Sequence, residues 1–441
     1  MHRKLTSLLA TLVLAAVALQ GCGASTQTAS PATSASTSAA PASPVTISLW
    51  HNFGTQSETT VTQNMVKAYE AAHPNVTIDL VSQPATNYFD LMQAAAISKT
   101  GPCLATAWSG LYLFKYMNWM EKLNPDYIPT DTLKQINGIE WASENFDPDQ
   151  GVRMVPLEMQ FYNLFYNKEL FAKAGITSLP TNWAELDAAN KKLKAAGIQP
   201  FVYGTGGQAQ QAGFNPIYDL TYMMMQYPLE DWKKLYSGEI PWTDPAIVAQ
   251  LDKWVALRTD GYTNQDTLTN TESWQQFLTG KAAMTLEGTW SLAAAEEALG
   301  DKLGVGLPPF VEKPLNGIVD FAGQGFAMTT YCTNKEVAAD FLKFMATPEA
   351  QKIIADGGLV PALKGSTTDD PYLLELSSYG TDKGFTRYPM LDNVIQPEVV
   401  ETWVKVLNAA FAGTMSTKDA LQAMQDTLMA LPADRRSSSY K

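Results

Sequence analysis

Residues 45–108 read VTISLWHNFGTQSETTVTQNMVKAYEAAHPNVTIDLVSQPATNYFDLMQAAAISKTGPCLATAW, and the order of patterns within them decides the fold class. Residues 45–50 alternate β-branched and other side chains, which predicts a strand. Residues 60–72 place Val61, Met65, Val66 and Tyr69 at helical spacing, and His73-Pro74 ends the run. Residues 76–81 repeat the strand pattern and 88–97 the helical one. A third strand, 103–108, follows Gly101-Pro102. Strand, helix, strand, helix, strand is the signature of an α/β fold whose parallel sheet is flanked by helices.

The alternation resumes further along the chain. Residues 154–157 and 162–166 read as extended, a short helix starts near Lys168, and a longer one spans 182–195 with Asn182 and Glu185 as a capping box. Residues 199–203 are expected to form a strand, and 232–236 and 247–258 helices. Residues 274–279 read as a helix, 282–286 as a strand and 325–330 as extended. Residues 333–336 are expected to cap a helix through Met345, and Thr347-Pro348-Glu349 opens the next with proline in its first turn. Two helices close the chain, about 398–412 and 417–431, the second capped by Ser416.

Upstream, His2, Arg3 and Lys4 precede an apolar run from Leu5 to Leu19. A charged start before about 15 apolar residues reads as a secretory signal, too short for a comfortable membrane span. The run ends in Leu19-Gln20-Gly21-Cys22, which resembles a lipobox, so residues 1–22 are expected to act as a lipoprotein signal with Cys22 lipidated. An ordinary cleaved signal with an incidental cysteine is the alternative. Residues 23–44 are nearly all Ala, Ser, Thr, Pro, Gly and Gln, too poor in apolar surface to fold, and read as a tether. About 397 residues follow it, more than one core accommodates, which predicts two domains. The net charge is −13, or −15 without Arg3 and Lys4, which argues against nucleic acid and anionic lipid as partners.

Several chemistries lack their residues. Beyond the signal only His51 and His73 remain, with no HExxH and no CxxC, so neither zinc nor a histidine-based triad is expected. His51 reads as a surface residue and His73 as an exposed helix end. Gly204-Thr205-Gly206-Gly207 lacks the Lys-Ser/Thr of a phosphate-binding loop and reads as a flexible turn. A glycosidase would need a carboxylate pair, which Glu158, Glu287 and Asp320 could supply.

Five stretches carry a family resemblance: residues 45–52, 156–175 (PLEMQFYNLFYNKELFAKAG), 180–186 (PTNWAEL), 277–290 (FLTGKAAMTLEGTW) and 333–351 (TNKEVAADFLKFMATPEAQ). Together they resemble the family 1 extracellular solute-binding proteins, the group that includes the maltodextrin-binding protein. The resemblance implies a two-lobed fold of the type II periplasmic-binding-protein kind, with the ligand in a cleft between lobes. The N-terminal lobe would be 45–157 plus 322–368 and the C-terminal lobe 158–321 plus 369–441. The chain would cross near residues 155–158, 321–325 and 367–370, with Gly323 and Gly325 absorbing dihedral change at the hinge. It also implies a carbohydrate ligand, the permease subunits of an ABC importer as partners, a monomer, and no cofactor, metal or catalytic residue. The lipobox and tether place it on the outer face of a cell membrane, held by lipid alone, most simply in a bacterium without a conventional outer membrane. Cys103 and Cys332 would fall in one lobe, where an exported pair forms either a disulfide or two separate buried thiols.

Open sheets bind ligands beyond the carboxyl ends of their strands, which selects the candidate site residues. Trp290 follows a strand and falls on the family's sugar-stacking tryptophan, where an indole covers the C–H face of a pyranose; a core tryptophan is the alternative. Trp50 and Asn52 end the first strand, on the side opposite His51, with Asn52 the hydrogen-bonding member. Trp108 and Ser109 end the third strand, ahead of Leu111 and Tyr112 where the maltodextrin-binding member carries an acid. Glu158 and Gln160 share one side of the first crossover, and Glu287 is expected on the same loop as Trp290. Gly325 is a candidate by position, with Gln324 and Asp320. The 11 tryptophans and 18 tyrosines exceed what a core needs and point to a sugar, although Trp254 sits at helical spacing and belongs to the core.

Overall fold

The computed structural model describes residues 43–84, 87–205, 215–313 and 316–437. The lipobox with Cys22, the tether up to residue 42 and Gly206-Gly207 lie outside the described residues. Two five-stranded sheets flanked by helices form the frame.

The first sheet runs in the order β2 (Val76–Ser82), β1 (Val45–His51), β3 (Leu104–Trp108), β9 (Gln324–Met328), β4 (Val155–Pro156). β1 pairs parallel with both β2 and β3, as the alternating pattern of the opening stretch requires. The helices Gln56–Ala72 and Tyr88–Ser98 make the crossovers. Their heptad-like apolar faces, Val61, Met65 and Tyr69 in the first, bury against Ile47 and Leu49 of β1. β9 then joins β3 antiparallel, a strand 216 residues later than its neighbour, with Trp108 opposite Gln324.

The second sheet runs β10 (Thr386–Tyr388), β8 (Gly317–Ala322), β5 (Met159–Asn167), β6 (Met284–Gly288), with β7 (Leu303–Gly306) also on β5. Its core buries five of the eleven tryptophans, Trp183, Trp232, Trp242, Trp254 and Trp403. The aromatic surplus read from composition is therefore spent largely inside the second lobe. Within it, Tyr162, Tyr203 and Trp254 all donate to the carboxylate of Asp219, at 3.0, 2.9 and 2.7 Å.

Two short crossovers join the sheets side by side. β4 leads through Leu157-Glu158 into β5, and β8 leads through Gly323 into β9. Across the pair, Gln160 stands opposite Phe321 and Phe161 opposite Asp320. Cys103 and Cys332, just before β3 and just after β9, are joined by a disulfide.

Some local expectations differ from the structure. Residues 199–203 contribute a single bridge, Phe201 to Met284: Val202 and Pro200 bond to Met284, while the N–H groups of Phe201 and Tyr203 turn to Tyr262 and Asn264. The strand expected at 282–286 lies two residues later, so Glu287 falls within β6, next to its end, instead of occupying a loop. Asn334 precedes the helix Lys335–Met345 without a side-chain cap bond, its amide lying near Thr333. His51 is buried, on the same side as Ile47 and Leu49 and stacked on Phe53, and burial lowers its pKa.

Candidate functional site

A cavity of about 520 Å³ opens between the two sheets, walled by both. From the first sheet come Trp108, at the end of β3, and Glu58, in the first turn of the helix Gln56–Ala72. Thr55 caps that helix: its hydroxyl accepts from the Glu58 N–H at 3.3 Å and donates to the Glu58 carboxylate at 2.7 Å. The cap turns Glu58 inward, where Gln324 donates to its other oxygen. Trp108 Nε1 in turn donates to the side-chain Oε1 of Gln324 at 3.3 Å. An indole, an amide and a carboxylate thus form one chain across the wall.

From the second sheet come Glu287, next to the end of β6, and Trp290, in the turn Thr289–Ser291 that follows. Thr289 pins this turn to the sheet by accepting the Phe161 N–H at 3.2 Å. Trp290 leans on Tyr218, with ring centroids 5.8 Å apart, and its ring fills the space a side chain at Gly288 would need. Only glycine at 288 lets the indole lie back against the strand end. Asp392 and Asn393, in the short helix Leu391–Val394, complete this side.

Gln160 reaches the cleft from the crossover, its amide donating to Glu158 at 3.0 Å. Glu158 is wholly buried behind it, with its second oxygen unpartnered. Burial raises the pKa of Glu158 well above the usual carboxylate range, and the nearby Glu58 raises it further. Burial likewise raises Glu58, against the opposing bonds from Thr55 and Gln324. Glu287 and Asp392 are each raised to about 7, again chiefly by burial.

Of the sequence candidates, the cleft wall brings together Trp108, Gln160, Glu287, Trp290 and Gln324. It does not include Trp50, Asn52, Ser109, Glu158 or Gly325. Trp50 packs beside Tyr88 and Met92 on the helix-covered face of the sheet. Asn52 is buried, its carbonyl oxygen taken by the Thr106 hydroxyl at 2.7 Å. Ser109 donates to the Ala322 carbonyl and accepts from Asn393 at 3.2 Å, bridging the two sides just below the cleft. Gly325 is sandwiched in the sheet, where a side chain would strike the Val155 carbonyl. Asp320 faces away from the cleft, ion-paired with Arg387, and Glu158 lies behind the wall, so of the three carboxylates that could supply a glycosidase pair Glu287 lines the cleft.

Sequence reasoning passed over Glu58, Asp392, Asn393 and Tyr218. Glu58 was visible as the fourth residue of Thr55-Gln56-Ser57-Glu58, the sequence form of a capping box directly after a strand end. The other three carry no local signal.

The opposite faces of β5 and β8 wall a second cavity of about 260 Å³, where Met159, Asp320, Arg387 and Trp141 meet.

Residues 54–352 match the sequence model of the bacterial extracellular solute-binding proteins. An uncharacterized ABC transporter extracellular-binding protein of Pyrococcus horikoshii is 24% identical over 458 residues, spanning 100% of this chain and 99% of that one. The sn-glycerol-3-phosphate-binding periplasmic protein of Shigella flexneri is 28% identical over 42% of this chain and 43% of its own. Among solved structures, a chitin oligosaccharide binding protein superposes with a TM-score of 0.75 at 23% identity, covering 88% of this chain and 98% of that one. A maltose-bound protein of T. maritima gives 0.71 at 19%, covering 87% and 99%. At these identities the structural likeness speaks for the two-lobed fold. By its sequence match and its architecture, the chain belongs to the family 1 bacterial extracellular solute-binding proteins.

Proposed function

We propose that this protein captures an oligosaccharide in the cleft between its lobes and delivers it to the permease of an ABC importer, without chemistry of its own. The observation that carries the reading is the pairing of Trp108 from one sheet with Trp290 from the other around one cavity, with the amides of Gln160 and Gln324 between them. Flat indoles cover the C–H faces of sugar rings, while amides offer both donor and acceptor to hydroxyls. Ligand touching both walls favours the closed arrangement, and the closed form is what a permease would recognise. The structural relatives that bind chitin oligosaccharide and maltose support the same class. The glycerol phosphate named for one relative suits this cleft poorly, because among the described residues no Lys, Arg or His lines it.

The lipobox at Cys22 and the tether fit a protein held at the outer face of a membrane as a monomer beside its permease. A host without an outer membrane would have most need of such an anchor. A melting screen against sugars, iron, spermidine and peptides tests the ligand class. A shift with one family of oligosaccharides is expected. A shift confined to iron, spermidine or peptide would reject the sugar. Mass spectrometry of ligand carried through purification would name it, and labelling with a radioactive fatty acid that is lost in Cys22→Ser would test the anchor.

A further inference from the structure

The cleft wall is acidic and has no base to balance it. Among the described residues, Glu58, Glu272, Glu287, Glu297 and Asp392 line it, and no Lys, Arg or His does. The internal stretches outside the described residues, 85–86, 206–214 and 314–315, contain no such residue either. Behind Glu58 stands Glu158, wholly buried and with one oxygen unpartnered. Asp392 is 8% exposed, and its Oδ1 also lacks a partner. None of these acids takes part in an ion pair among the described residues.

A neutral sugar needs from its site both donors and acceptors. Here the acids are acceptors only when ionised, and other donors come from amides, hydroxyls and indoles. An anionic sugar would enter a buried acidic wall with no counter-charge. An ammonium has the opposite character: three donors, no acceptor, and a charge that completes carboxylates left half-bonded in a closed cavity. It also gains from the aromatic faces of Trp290 and Trp108 on either side.

We propose that the saccharide this cleft selects carries a protonated amine, directed at the acidic wall of Glu58, with Glu158 behind it, and Asp392. This rests on the sugar reading above and narrows it to amine-bearing saccharides. Binding then has a signature in protons. In the empty cleft, burial raises Glu58, Glu158, Glu287 and Asp392, so near neutrality part of the wall holds protons. A bound ammonium favours the ionised carboxylates, and the displaced protons leave for solvent. A ligand with hydroxyls in place of amines brings hydrogen bonds without a charge and displaces fewer protons.

The test compares oligosaccharides matched in linkage and length, with free amines, with acetylated amines and with hydroxyls in their place, over several linkages. Affinity is measured calorimetrically near about pH 6.5, where such amines are largely protonated. Buffers of low and high ionisation enthalpy report the protons released. The free-amine form should bind at least about tenfold more tightly than its hydroxyl counterpart and release protons as it does so. Glu58→Gln and Asp392→Asn should each shrink both the affinity ratio and the proton release, which a purely structural loss would not do. Equal or tighter binding of the hydroxyl or acetylated form overturns the amine and leaves the sugar reading standing. Binding of no saccharide at any linkage overturns both.

Discussion

Replacing Trp290 with alanine is the most direct test of how the cleft holds its ligand. The indole is half-buried, with one flank on Tyr218 and the backbone of Gly288 and the remainder lining the cavity. A sugar ring laid on the free face would cover roughly 80 Å² of it, contributing about 2 kcal/mol at 25 cal/mol per Å². Stacking geometry adds about 0.5–1.5 kcal/mol. The combined loss of about 2.5–3.5 kcal/mol corresponds to a fall in affinity of roughly 70- to 400-fold. Titration calorimetry with an oligosaccharide that binds the wild type measures it. A melting curve of the empty variant separates binding from folding, since a half-exposed side chain at a turn should cost little stability. A loss smaller than about twofold, with folding intact, would refute the stacking role and return Trp290 to the lobe core.

Stability of the empty protein should fall as pH rises. Burial lifts Asp219, Glu287 and Asp392 to about 7 and Asp320 to about 6. The folded state therefore holds more protons than the unfolded one between about pH 4 and 7, so this contribution is complete below about pH 4 and is lost through the folded pKa values. Exposed acids held low, such as Glu169 at about 2, are still ionised at about pH 5 and do not cancel it. Melting at least about 3 °C higher at about pH 5 than at about pH 8 is expected, and a rise in the other direction would contradict the burial argument. Breaking the Cys103–Cys332 bridge, which spans 229 residues, should cost about 2–5 kcal/mol in denaturant unfolding. Ligand affinity should survive, because neither cysteine lines the cleft; lost affinity in a folded Cys103→Ser/Cys332→Ser protein would show that the bridge reaches the site. Gly323→Ala would drive a methyl into the Gln160 side chain and swing its amide off Glu158. Calorimetry should then show about a tenfold loss of affinity, whereas an unchanged constant would remove Gln160 from the binding wall.

The frame of this molecule is legible in sequence because its signals are local. The alternation in β1 and β2, the helical spacing of Val61 and Met65, and the caps at Asn182, Thr347 and Ser416 each report on a few neighbouring residues. Strand-end reasoning reaches Trp108, Gln160, Glu287 and Trp290 for the same reason, since a strand and its exit are read together. It fails where a position's meaning is set by distant chain. Asn52 ends a strand as the rule asks, yet Thr106 claims its amide from the neighbouring β3. Asp392 and Asn393 reach the cleft from the far end of the chain, on a four-residue helix with no pattern of its own. Nothing local separates the buried Trp242 and Trp403 from Trp290. Glu58 is the instructive case: its capping role is visible, and that local task hides its second one.

The paired strands β5 and β8 have a consequence of a mechanical kind. They act as a thin partition with a chamber on either side: Gln160 and Phe321 look into the cleft, while Met159 and Asp320 look into the rear cavity. A rotation of one lobe about this partition that shrinks the front chamber must enlarge the rear one. Volume would then be traded between them, with the contacts of Trp141 and Arg387 at the back set against a grip at the front. The resting posture of the lobes, and with it the apparent affinity for ligand, is then adjustable by residues that no ligand touches.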